Sequence, residues 1–292
     1  MAAVLHPSNP PAVLTEALLI YSHLARISRD FYPALGSAGV ASQLRPLLLH
    51  REPGVRAKAC NMIGNMCKHS EFFYGALRDG GLLDALIRLC SDGDRTTRKF
   101  ACFAIGNAGF HRRARPASNR TGRDPLARPS RVPTCSPGSL APARSADLYD
   151  VLRPSIPPLV ALLDDEEPKT RANAAGALGN FVRNSDGLCR DLIAGGAPEA
   201  LLRMVANRDG GGTPRSTASS ATATAAAAAA AGSDSGSPLK MALFSLGNMC
   251  AYPICRTRLL ELGLIQMLAP LASLEDPTVK KFVQRIQGKL QG

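Results

Sequence analysis

Apolar residues recur along this chain at i, i+3, i+4 and i+7 in three blocks: Ala59, Met62, Ile63 and Met66; Ala101, Ala104, Ile105 and Ala108; Ala174, Ala177, Leu178 and Phe181. A fourth block keeps most of the pattern with Ala242, Leu246 and Met249. Such spacing lays a single stripe along a helix, facing a core. Further apolar segments lie at Leu44 to Leu49, Leu82 to Cys90, Ile156 to Leu163, Ala200 to Val205 and Ile265 to Leu271. Each unit is therefore expected to contribute at least two packed helices.

The blocks are versions of one sequence: VRAKACNMIGNMC from Val55, TRKFACFAIGNAG from Thr97, TRANAAGALGNFV from Thr170 and PLKMALFSLGNMC from Pro238. A Gly-Asn pair closes each, at Gly64-Asn65, Gly106-Asn107, Gly179-Asn180 and Gly247-Asn248, with intervals of 42, 73 and 68 residues. The longer intervals contain an Arg/Pro/Ser-rich insertion at 112–146 and a Gly/Ser/Thr/Ala-rich one at 207–237. Both compositions predict disorder. Without them the period is about 42, inside the range of roughly 40 to 47 expected of armadillo and HEAT units. The fold class predicted is all-α: an armadillo/HEAT-like right-handed α-solenoid with two disordered insertions. It forms one repeat domain over 12–292, of about five units.

Two features of the blocks ask for neighbours. Acidic turns lead into a basic residue at Glu52 to Arg56, Asp94 to Arg98, Glu167 to Arg171 and Asp276 to Lys280. A cation in a helix's first turn opposes the helix dipole. Arg56, Arg98, Arg171 and Lys280 are thus expected to form an inter-repeat ladder with acids, in preference to a basic stripe for partners. Gly64, Gly106, Gly179 and Gly247 each cost about 0.5 to 1 kcal/mol in mid-helix, which close approach of the next repeat's backbone would offset.

Asn65, Asn107, Asn180 and Asn248 lie at the stripe's margin. They either hydrogen-bond the backbone of an extended partner along a concave surface, or satisfy a neighbouring carbonyl of the protein itself. Both readings stay open.

Thr15 to Pro33 reads as the last helix of an earlier unit. Thr278 to Leu290, carrying Lys280, Lys281, Gln284, Arg285 and Gln287, reads as a polar closing helix that replaces the Gly-Asn block.

Composition adjusts this picture little. The formal charge of +12 would point to nucleic acid, but +7 of it comes from eight Arg and one Asp in 112–146. Nucleic acid is accordingly a disfavoured partner, kept as an alternative through that basic segment. Of the eight Cys, Cys60, Cys67, Cys102 and Cys250 lie in apolar helical patterns, and reduced thiols are expected. Neither Cys nor His has metal-ligand spacing, so no metal and no cofactor is expected. No apolar run approaches the roughly 18 residues of a membrane span. No phosphate-binding loop or nucleophile elbow is present. Without Trp, and with Asn61, Phe103, Gly176 and Phe244 four residues before the ladder Asn, a nuclear-import adaptor is disfavoured too.

Specific residues carry a family resemblance: EALLI from Glu16, SHLARIS from Ser22, KACNMIGNMCKHSEFFYGAL from Lys58, LRPSIPPLVALL from Leu152, KTRANAAGALGNFVRNS from Lys169 and SPLKMALFSLGNMC from Ser237. The chain resembles the C-terminal armadillo-type region of the Fused family of serine/threonine kinases, especially its plant and algal form. That resemblance implies a docking region for kinesin-like or other cytoskeletal proteins, with a kinase domain as a further candidate. It implies a cytoplasmic location, on the cytokinetic apparatus or the cilium. The kinase Lys, HRD and DFG motifs are missing, so no kinase activity is carried over. A stand-alone armadillo adaptor is the alternative.

Overall fold

The computed structural model describes residues 2–111, 148–183, 185–207 and 237–291. The insertions expected at 112–146 and 207–237 lie outside the described residues, except for Asn207 and Ser237, which close one helix and open another. Among the described residues there is no strand.

A first long helix, α1 (Pro11–Ile27), precedes five units, each of three helices. The first unit holds α2 (Tyr32–Ser37), α3 (Val40–Leu48) and α4 (Pro53–Met66). The second holds α5 (Tyr74–Asp79), α6 (Leu82–Leu89) and α7 (Arg95–Ala108). The third holds α8 (Leu148–Leu152), α9 (Ile156–Ala161) and α10 (Pro168–Phe181). The fourth holds α11 (Cys189–Ala194), α12 (Ala197–Ala206) and α13 (Pro238–Met249). The fifth holds α14 (Pro253–Glu261), α15 (Leu264–Ala272) and α16 (Pro277–Gln291).

Local sequence explains the joints. Gly39, Gly81, Gly196 and Gly263 have φ of 66°, 62°, 74° and 81°, a left-handed backbone that turns each short helix into the second one. The third unit lacks such a glycine and makes the turn as a 3-10 segment over Arg153–Ser155. Pro53, Pro168, Pro238 and Pro277 open their long helices, where the missing N–H costs nothing. Asp94 does the same work differently, accepting the Thr97 N–H at 2.8 Å. The first helix stops at Ile27, before the expected Pro33, because Ser28 is extended and its hydroxyl accepts the Asp30 N–H at 3.1 Å.

The long helices α1, α4, α7, α10, α13 and α16 stack in chain order, each against the next. All the stripe residues of the four blocks are buried, and they share one continuous core. Helix α10 is buried at eleven of its positions, Thr170 and Ala172 to Phe181, because it is covered on both sides. Helix α16 buries only Val279, Phe282, Val283 and Ile286. Seven cysteines among the described residues are buried free thiols.

Candidate interaction surface

The middle of each long helix sets the repeat spacing. A Cβ on Gly106 would stand 3.1 and 3.2 Å from Cβ and Cα of Ala177, and one on Gly179 only 2.8 Å from Ser245 Cα. At Gly64 the obstacle is the Phe103 ring, while Gly247 meets Ile286 at a looser 3.4 Å. The glycine cost therefore accompanies direct helix-to-helix contact in the first three cases.

Beside each glycine the Asn reaches backwards. Asn107 Nδ2 donates to Gly64 O at 2.9 Å, Asn180 Nδ2 to Gly106 O at 3.0 Å, and Asn248 Nδ2 to Gly179 O at 3.1 Å. At the first rung Asn65 Nδ2 instead donates to the Ser22 hydroxyl, at 2.7 Å, because Ser22 stands in α1 where the glycine stands elsewhere. All four Asn are buried, and each such bond contributes about 1 kcal/mol. Of the two openings left by sequence, the amide N–H groups thus serve the protein's own carbonyls and hydroxyl. Asn107 and Asn180 nevertheless border a surface groove over α7, α10 and α13, with Phe103, Asn173, Gly176 and Met241.

Sequence reading missed the last rung. Gly288-Lys289 occupies the Gly-Asn register in α16, and Lys289 Nζ donates to Gly247 O at 2.6 Å. The signal was the glycine; the exchange of Asn for Lys hid it. Nearby Arg285 Nη2 donates to Asn248 Oδ1 at 2.8 Å.

The N-terminal ends of the long helices are tied by ion pairs between units. Arg56 makes two 2.8 Å bonds to Asp92, and Arg98 binds Asp165 at 2.8 Å and Glu166 at 3.4 Å. The third guanidinium nitrogen of each grips two backbone carbonyls of its own turn. Lys99 pairs with Glu167 and Lys240 with Asp276, at 3.1 and 2.9 Å. Arg171 keeps the carbonyl grip, on Asp165 and Glu166. Lys280 is exposed and has no ion pair among the described residues; Lys240 carries the link between the last two units. Burial pushes the Asp92 carboxyl up, but bonds from Arg56 and the Asp94 N–H outweigh it and hold the carboxyl below its usual range.

The C-terminal ends are different. Lys68 Nζ and His69 Nε2 bond Arg26 O at 3.1 and 2.8 Å, and His111 Nε2 bonds Lys68 O at 2.7 Å. Arg183 lies 4.2 Å over the Phe110 ring. Among the described residues no carboxylate pairs with Arg26, Lys68, Arg183, Arg285 or Lys289. Burial and a neighbouring cation pull three of them down: Arg26 acts on Lys68, and Arg285 on Arg183 and Lys289. No group of His, Cys, Asp and Glu among the described residues could hold a metal ion, and no helix is long and apolar enough to cross a membrane.

Three-helix units joined at left-handed glycines and stacked through Gly-Asn rungs define an armadillo/HEAT-type α-solenoid. Residues 138–181 match the HEAT-like repeat family. A designed armadillo repeat protein solved with a (KR)4 peptide superposes with a TM-score of 0.70 at 20% identity, over 97% of this chain and 96% of its own. Another designed armadillo repeat protein gives 0.69 at 21% identity, over 97% and 95%. More specifically, the chain is 38% identical over its whole length to the serine/threonine-protein kinase TIO of Arabidopsis thaliana. It is thereby similar to the C-terminal repeat region of a Fused-type kinase, and it spans 19% of that kinase's length.

Proposed function

We propose that this chain is a non-catalytic docking region of Fused type, which holds cytoskeletal proteins such as kinesin-like motors in the cytoplasm during cytokinesis or at the cilium. The observation that carries the reading is identity sustained at 38% over the entire chain with the C-terminal part of a Fused-type kinase. Repeat geometry supports it: side chains invested in unit-to-unit contact leave a long, continuous surface, the form used by extended-peptide binders. An armadillo neighbour solved with a bound peptide fits the same use.

The test is capture of purified candidates by the immobilised full chain. Retention of a kinesin-like motor tail, of tubulin or of a Fused-type kinase domain is the expected result. If none of the three is held above a bead control, the docking reading falls.

A further inference from the structure

The opening helices of the last two units meet side by side, α11 of the fourth on α14 of the fifth. Each is thinly anchored. Helix α11 fully buries Cys189 and Leu192 alone, and α14 only Cys255 and Leu259. Half of each anchor is thus a thiol, and the two thiols face one another: the Cys189 S–H donates a hydrogen bond to Cys255 Sγ. Both side chains are closed off from bulk water, at 1% and 0% exposure.

A cleft of about 630 Å³ lies along the same junction, with Arg153, Asp186, Cys189, Tyr252, Pro253 and Ile254 in its wall. It brings a small oxidant to Cys189 and to the residues that lead into Cys255. A bulky disulfide such as oxidised glutathione does not fit against side chains so covered.

The pair differs from the other described thiols in its chemistry. Burial above all pushes Cys60, Cys67, Cys90, Cys102 and Cys250 up, and a thiol that keeps its proton is a poor nucleophile. The hydrogen bond from Cys189 instead pulls the Cys255 thiol down against the effect of burial, and it holds the shared proton on Cys189.

We propose that Cys189 and Cys255 are a peroxide-sensitive thiol pair, which closes to a disulfide and ties the fourth unit to the fifth. The Cys255 thiolate attacks one oxygen of hydrogen peroxide, the O–O bond breaks, and the departing hydroxide takes the Cys255 proton to leave as water. The Cys189 sulfur then attacks the sulfenic sulfur, and its proton leaves with the sulfenic oxygen as a second water. Two thiols and one peroxide give one disulfide and two waters, each sulfur losing one electron and each oxygen gaining one. Closure brings the sulfurs to about 2.05 Å. Helices with two buried side chains apiece can shift to allow it.

The experiment treats the folded full chain with a modest molar excess of hydrogen peroxide, blocks the remaining thiols with N-ethylmaleimide and maps joined peptides by mass spectrometry. A peptide pair linked through Cys189 and Cys255 should form, and dithiothreitol should remove it. Linkage should be at least about tenfold faster in the folded chain than in urea, because only the fold holds the two sulfurs together. With dimedone present, Cys189→Ser should accumulate the sulfenic adduct at Cys255, whereas Cys255→Ser should gain none at Cys189. The wild-type map needs no substitution and decides the pairing even where a variant folds poorly. Absence of the linked pair, joining of either cysteine to a different one, equal rates in urea, or an adduct at Cys189 in Cys255→Ser would each overturn the proposal.

Discussion

The two edges of the same helices handle positive charge in opposite ways. At their N-terminal ends Arg56, Arg98, Lys99 and Lys240 sit where the helix dipole disfavours a cation, yet a carboxylate from the next unit compensates at 2.8 to 3.1 Å; Arg171 holds backbone carbonyls instead. At their C-terminal ends the dipole welcomes cations, and among the described residues no acid answers them. The first arrangement welds unit to unit. The second joins units through backbone carbonyls at Lys68 and Lys289, and leaves Arg183 exposed over the Phe110 ring.

The glycine layer between the edges provides the strongest way to challenge this division. Gly179→Val would drive a branched side chain into Ser245 Cα, 2.8 Å from the new Cβ, and should destabilise the chain by about 3 kcal/mol or more in urea unfolding. A loss under about 1 kcal/mol would mean that the helices separate easily and that neither edge sets the spacing.

Next in size is the paired edge. Arg56→Met leaves Asp92, nearly buried, with only the Asp94 N–H, and should cost about 2 kcal/mol. The pH dependence follows from the sign of the shift. Asp92 is held below its usual range when folded, so its contribution is present at neutral pH and fades as pH falls below about 4 through the folded value. Wild type should therefore lose more stability than Arg56→Met over that acidic range. Parallel pH profiles would show that the pair does not couple the units.

The smallest effect is expected at the other edge. Arg183→Ala should change the melting behaviour by no more than about 1 kcal/mol, since it forfeits one ring contact and relieves repulsion from Arg285. A cost equal to that of Arg56→Met would erase the distinction between the edges.

How far the sequence could be read follows from element length and residue type. The long helices were legible because a 3.6-residue stripe repeats over three or four turns, and because a glycine in mid-helix stands out against its cost. The six-residue openers Tyr32–Ser37, Tyr74–Asp79 and Cys189–Ala194 were not, since they are too short for a periodicity to emerge. Gly39, Gly81, Gly196 and Gly263 were their only mark. The direction of the ladder Asn was undecidable in principle, because an amide that could grip a ligand's backbone can equally grip Gly64 O. Lys289 escaped notice for the opposite reason: its position matched the ladder and its side chain did not.

The Asn rungs also say something about distance along the chain. Asn107 reaches 43 residues back and Asn180 reaches 74, yet their bonds differ by only 0.1 Å. The register of the stacked helices, and not the number of residues between them, therefore sets the geometry of a rung.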